Sequence, residues 1–232
     1  MKYVVPLPSQ AFLPVAGSTH RYPVKRIYCV GRNYAAHSIE MGGDPDREEP
    51  FFFQKNPDNL VINGGDFPYP DKSKDVHHEI ELVVGLGHLP IEGATDIPLD
   101  KANDFVWGYA LGIDMTRRDL QAQCKERRRP WEVGKGFEHS APCGPIHAVT
   151  QTGILSDGGI SLLINGEIRQ QGDLNQMIWK IPEIISYLSG LFRLNNGDLI
   201  MTGTPSGVGP VNVGDQITGR VDALAALHCR VV

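Results

Sequence analysis

Glu79 and Glu81 stand two residues apart in the run Val-His-His-Glu-Ile-Glu-Leu-Val-Val-Gly-Leu-Gly, residues 76–87. From 77 to 84 the run alternates, which predicts a strand. A period of two puts Ile80, Leu82 and Val84 on one face and His77, Glu79 and Glu81 on the other. Two carboxylates on one face repel, and burying them without a partner is costly. They are either the wet face of a half-exposed strand or two oxygen ligands for a divalent cation such as Mg2+ or Mn2+. Asp114 closes the apolar run at 106–113 and needs a partner as well. It is either the cap of the helix that follows or a further ligand.

Other residue types could do acid–base or anion chemistry. His37 and Glu40 are spaced i, i+3 on a predicted helix. They are either a solvent-facing polar pair or an imidazole oriented by a carboxylate to take a proton from water. Lys135 lies between two glycines, as an exposed loop lysine or as a cation aimed into a cleft. Thr-Gly-Thr-Pro-Ser-Gly-Val-Gly at 202–209 lacks the Gly-Lys-Ser/Thr of a phosphate loop. Its N–H groups and hydroxyls suit a small anion such as a carboxylate.

The elements that must position these groups follow from pattern. A short strand at 25–30 precedes a helix at 34–41, with Asn33 as N-cap and Gly42-Gly43 as its stop. The charged, proline-bracketed residues 44–50 read as a mobile loop and a candidate lid. A strand at 51–54 leads to Lys55, and Asn63-Gly64-Gly65 marks a turn. A helix is predicted at 115–125, with Arg118, Gln121 and Lys125 toward one side. The basic run 125–129 reads as a solvated helix end. Asn165-Gly166 marks a hairpin, 182–191 an amphipathic helix and 199–201 a strand. Strands at 211–214, 216–221 and 228–232 close a strand-rich α+β chain.

Composition narrows the classes. The chain has 232 residues and a net charge of −5, so no general basic surface invites nucleic acid. Four scattered cysteines with no C-x-x-C pair point to a reducing cytosol and to buried apolar thiols. The proline-broken N-terminus lacks a signal peptide's apolar core. No run approaches the ~18 apolar residues of a membrane span.

Five stretches in order resemble the fumarylacetoacetate hydrolase family: Val30-Gly-Arg-Asn-Tyr-Ala-Ala-His-Ser-Ile-Glu-Met, His78-Glu-Ile-Glu-Leu, Gly108-Tyr-Ala-Leu-Gly-Ile-Asp-Met-Thr-Arg-Arg-Asp, Lys135-Gly-Phe and the 202–209 loop. The resemblance runs from about residue 24 to the C-terminus. It implies an α+β mixed β-roll with flanking helices, usually a homodimer, as a catalytic domain at 25–232 behind an N-terminal arm or small cap at 1–24. It implies Mg2+ or Mn2+ on Glu79, Glu81 and Asp114, and water activation by His37 and Glu40. Lys135 and Gln121 match residues near metal and substrate, with Lys135 adding charge near a developing oxyanion. Arg118 matches the substrate side, and Gly203 with Thr204 matches the loop that receives the substrate's carboxylate.

The implied reaction is hydrolysis of the C–C bond of a β-dicarbonyl acid. Within the family, residues 129–142 and the short chain are similar to bacterial members that hydrolyse fumarylpyruvate to fumarate and pyruvate in gentisate-type aromatic degradation. Arg32, Arg47 or Arg118 would meet such a substrate's second carboxylate. The alternatives are decarboxylation of oxaloacetate or a similar β-keto acid, an isomerase or hydratase of homoprotocatechuate degradation, and a non-catalytic module with a structural metal.

Overall fold

The computed structural model describes residues 3–40, 48–62 and 64–232. The Gly42-Gly43 stop, most of the candidate lid, Arg47 and Asn63 therefore lie outside the described residues.

Apolar runs rich in β-branched and aromatic residues build the main sheet. In chain order its strands are β1 (Arg26–Gly31), β2 (Phe51–Lys55), β3 (Leu60–Ile62), β4 (Ile80–Leu86), β5 (Val106–Ile113), β6 (Ala141–Cys143) and β7 (Asp198–Met201). They lie side by side as β2-β1-β7-β4-β5-β6-β3, and His147–Ala148 adds a short strand beside β5. The pairs β7–β1 and β6–β3 are parallel and the others antiparallel, so the sheet is mixed. An antiparallel second sheet orders Glu167–Asp173, Gly159–Ile164, Gln216–Val221 and Leu227–Arg230. A third, small sheet joins Gly209–Pro210, Val76–His78 and Thr116–Arg117. The helices that matter here are α1 (Ala35–Glu40), α2 (Arg118–Glu126), α3 (Glu132–Lys135) and α4 (Ile181–Leu191). At the start of α4, Glu183 accepts from Lys180 N at 2.8 Å and Pro182 sits in the first turn.

Both faces of the main sheet are covered. Ile80, Leu82 and Val84 join a core shared with Ile160, Leu162 and Ile217 of the second sheet and Ile184 and Leu188 of α4. Val83 faces a smaller core with Ile27, Leu199, Leu13 and Tyr22. Leu13 and Tyr22 come from a hairpin of Phe12–Pro14 and Arg21–Pro23, within the segment expected as arm or cap. The alternation at 77–84 therefore separates two buried faces rather than core from water, and β4 is buried throughout. Among the described residues no helix is long and apolar enough to cross a membrane.

Candidate active site

The expected single strand at 77–84 is two strands that meet at Glu79. Val76–His78 pairs with Thr116–Arg117 and Gly209–Pro210, while β4 pairs with β5 and β7. The chain leaves one sheet for another there, and Asp114 N donates to Glu79 O at 2.8 Å across the junction. Glu79, Glu81 and Asp114 are all buried, which removes the wet-face reading. One carboxylate oxygen from each lies within 4.8 Å of the others. Asp114 follows β5, whereas α2 begins at Arg118 behind an N-cap at Arg117. Asp114 therefore caps nothing. The helix starts three residues late because Thr116–Arg117 are taken into the small sheet.

Cations from distant parts of the chain hold two of the three carboxylates, Glu79 and Asp114. Lys135 Nζ donates to Glu79 Oε2 at 2.8 Å, Asp114 Oδ2 at 2.5 Å and Thr116 Oγ1 at 2.7 Å. Arg118 Nη2 donates to Glu79 Oε1 at 2.6 Å, and its Nη1 to Gln121 Oε1 at 2.8 Å. Lys55 Nζ lies 2.8 Å from Asp114 Oδ1 and donates to the carbonyls of Met115 and Lys135. Lys135 is thus no exposed loop lysine. It ends α3, and Gly134 lets that turn lie against α2, since a Cβ there would sit 3.0 Å from Gln121 N and Cβ. Its three hydrogens are committed to Glu79, Asp114 and the Thr116 hydroxyl, so none is left over for a ligand.

Burial opposes the charge of each of these groups, and their partners decide the outcome. For Glu79, burial would raise the carboxyl, but Lys135 and then Arg118 outweigh it and hold it well below the usual range. For Lys135, burial is overcome by Asp114 and Glu79, which raise the ammonium. For Glu81, burial and the charges of Asp114 and Glu79 push the carboxyl well above the usual range. Among the described residues its single hydrogen bond is from Gly203 N at 2.7 Å. Asp114 Oδ1 is buried with an ion-pair neighbour but no aligned hydrogen bond. An all-oxygen donor set with one under-compensated carboxylate and one unaligned oxygen fits a hard divalent cation.

On α1, His37 Nδ1 lies 3.1 Å from Glu40 Oε2, and the imidazole is buried. A carboxylate at Nδ1 makes that nitrogen the proton carrier and leaves the lone pair on Nε2. Glu40 is itself fixed, accepting from Gly207 N at 3.1 and 3.2 Å. Asn33 is not the cap of α1. Its Nδ2 donates to Trp179 O and Thr202 O, and its Oδ1 accepts from Trp179 N, so it ties two loops together.

The 202–209 loop divides its tasks differently from the expectation. Gly203 gives its N–H to Glu81, so it orients a carboxylate of the chain rather than one of a ligand. Its φ of +95 suits glycine, and a Cβ there would lie 2.6 Å from Asn33 Cβ. Thr204 Oγ1 accepts from Gln170 Nε2 at 2.7 Å, which leaves its own O–H to donate. Gln170 is fully buried and saturated. Its Oε1 faces His78 Nδ1 at 2.8 Å and accepts from Ile80 N at 3.1 Å, and Nε2 also donates to Pro205 O at 2.8 Å. Arg32, Phe53, Gln121, Lys125, Trp131 and Thr204 line one cavity with Glu79, Glu81 and Lys135. Gln121 Nε2 has no protein partner among the described residues.

Lys55 and Gln170 escape a reading of the sequence, and Lys125 is placed by it on the helix side of Arg118 and Gln121 without a role. The only local signal for Lys55 is a lysine that closes Phe-Phe-Phe-Gln. Gln170 sits in a polar run and gives none. Lys125 reads as the first member of a solvated basic cluster, yet it faces the cavity.

Comparison with known proteins agrees with this geometry. The family model described as fumarylacetoacetate (FAA) hydrolase, C-terminal, matches residues 26–232. The crystal structure of fumarylpyruvate hydrolase from Pseudomonas aeruginosa, in complex with Mn2+ and pyruvate, is 47% identical with a TM-score of 0.96, covering 100% of this chain and 99% of that one. Oxaloacetate tautomerase of Escherichia coli is 41% identical over 207 residues, 89% of this chain and 92% of its own. Mitochondrial oxaloacetate decarboxylase of Dictyostelium discoideum is 41% identical over 201 residues, 86% of this chain and 90% of its own. Decarboxylation is among the alternatives raised above, and tautomerisation is an addition to them. The chain belongs to the fumarylacetoacetate hydrolase family of enzymes and has the mixed α+β fold of that family's C-terminal domain.

Proposed function

We propose that this protein hydrolyses the C–C bond of an acylpyruvate, with fumarylpyruvate the first substrate to test, and that Glu79, Glu81 and Asp114 hold the Mg2+ or Mn2+ it requires. The observation that carries the reading is a buried His37 paired with the more exposed Glu40, which Gly207 N anchors, near Glu79 of an all-oxygen ligand set. The 47% identity to a fumarylpyruvate hydrolase supports it.

A bound divalent ion supplies positive charge for the oxygens of the pyruvyl half and for the enolate that leaves. Glu40 holds the Nδ1–H of His37, so Nε2 takes a proton from water. The hydroxide adds to the acyl carbonyl. The bond between the acyl carbon and the pyruvyl methylene then breaks, and its electron pair stays on the pyruvyl side. That carbon takes the proton back, so one water is consumed and fumarate and pyruvate leave. Gln121 Nε2 and the Thr204 hydroxyl are the neutral donors left to hold substrate oxygens. Lys135 keeps the carboxylates in place and in charge balance.

Relatives named for oxaloacetate chemistry favour a second reading. There Nε2 of His37 would either move a proton between the enol oxygen and carbon of oxaloacetate, or return one to the pyruvate enolate left when CO2 departs, with no attacking water and with pyruvate formed only in the second case.

The test follows the ultraviolet absorbance of fumarylpyruvate with Mg2+, Mn2+ or chelator, with oxaloacetate in parallel and pyruvate measured in both. Metal-dependent loss of fumarylpyruvate is expected. His37→Ala should lower kcat about 100-fold or more, as loss of a general base does. Turnover of oxaloacetate alone would move the protein to the second reading.

A further inference from the structure

We propose that Lys125, assisted by Arg32, is the receptor for a second carboxylate at the far end of the acyl group, which makes planar, dianionic acylpyruvates the preferred substrate class. The proposal deepens the acylpyruvate reading and rests on it.

An aromatic path connects the acidic cluster to Lys125. Lys135 Nζ, bonded to Glu79 and Asp114, lies 5.0 Å from the Phe53 ring centroid. The Phe53 and Trp131 rings are 6.0 Å apart, and Lys125 Nζ lies 5.4 Å from the centroid of Trp131. Phe51 braces Trp131 edge-on at 5.2 Å. A flat, conjugated acyl chain suits such a wall, because ring faces favour planar partners over bulky saturated ones.

Charge separates Lys125 from the other cations nearby. Lys55, Lys135 and Arg118 each pair with a carboxylate of the cluster. Arg118 is ion-paired with Glu79 at 2.6 Å and also donates to Gln121, so its charge is already matched by a carboxylate of the chain. Lys125 and Arg32 line the same cavity and pair with no carboxylate among the described residues. Burial of Lys125, then the neighbouring charges of Arg32 and Arg118, lower its ammonium. An incoming carboxylate relieves that repulsion and gains charge-assisted hydrogen bonds. Arg127, Arg128 and Arg129 are exposed, so Lys125 alone of its basic run is turned inward.

Two measurements decide the proposal. The first is the ratio of kcat/KM for fumarylpyruvate to that for acetylpyruvate, whose acyl group carries no charge. Lys125→Met should lower this ratio about tenfold or more, mainly through the KM for fumarylpyruvate, and Lys125→Arg should restore most of it. An equal loss on both substrates overturns the subsite. The second is calorimetric binding of fumarate and of crotonate, which has the same flat chain with one carboxylate. Wild type should prefer fumarate, and Lys125→Met should lose that preference. If wild type turns over neither acylpyruvate, the hydrolase reading falls while calorimetry still decides the subsite. A Lys125-dependent preference for fumarate upholds it, and equal affinities overturn it.

Discussion

Glu79 and Glu81 are two residues apart, yet their surroundings push them in opposite directions. Glu79 titrates below its unfolded value, so it adds stability above the ordinary glutamate range that is lost as pH falls through its depressed value. Glu81 titrates above its unfolded value. It costs stability while ionised, and that cost disappears as pH falls through its raised value. Metal-free protein should therefore become more stable as pH falls from neutral, then lose stability once pH drops below the ordinary glutamate range. Denaturation midpoints across pH, in chelator, check this. Glu81→Gln should remove the first limb, and excess Mn2+ should reverse it, because ligands must ionise to bind. The Glu-x-Glu spacing is legible in the sequence because the strand period is two. The opposite environments are not, since Glu79 is lowered by Lys135 and Arg118 and Glu81 is raised by burial and by Asp114, all set by parts of the chain far from the strand.

Asn33 works between elements rather than within one. Its amide joins the entry of α1 to Trp179 and to Thr202, next to Gly203 and Thr204. Asn33→Ala removes three hydrogen bonds to backbone groups of Trp179 and Thr202. A loss of about 1–3 kcal/mol in unfolding free energy is expected, with a raised KM because the Thr204 loop loses an anchor. Thermal melts and steady-state kinetics read the two effects. The pattern Gly-Arg-Asn before a helix suggests a cap, and nothing local distinguishes a cap from a long-range clip. Strands β1, β5 and β7 and helix α4 are legible from apolar runs and proline placement. The break at Glu79 is not, because it is made by the partners on either side of it.

The main sheet is a shared wall, with the second sheet and α4 on one side and the Phe12–Pro23 hairpin on the other. Leu111 of β5 packs beneath Gly219 of the second sheet and is buried. Leu111→Ala should cost about 2–5 kcal/mol, and in a chain of this size each kcal/mol moves Tm by roughly 2–4 °C. Differential scanning calorimetry measures it. That the chain is α+β was legible, but the hairpin's place on the back of the sheet was not, since a three-residue strand carries no period. Two carboxylates of the acidic cluster at the heart of this wall, Glu79 and Asp114, are paired with lysines the chain itself contributes, Lys55 and Lys135. The order of biogenesis follows from that. The metal-free polypeptide is expected to reach its final shape first and to recruit its ion afterwards, unlike a zinc finger, which is unfolded until its metal arrives. Which hard divalent ion it carries would then follow the supply around the finished protein and would be open to exchange.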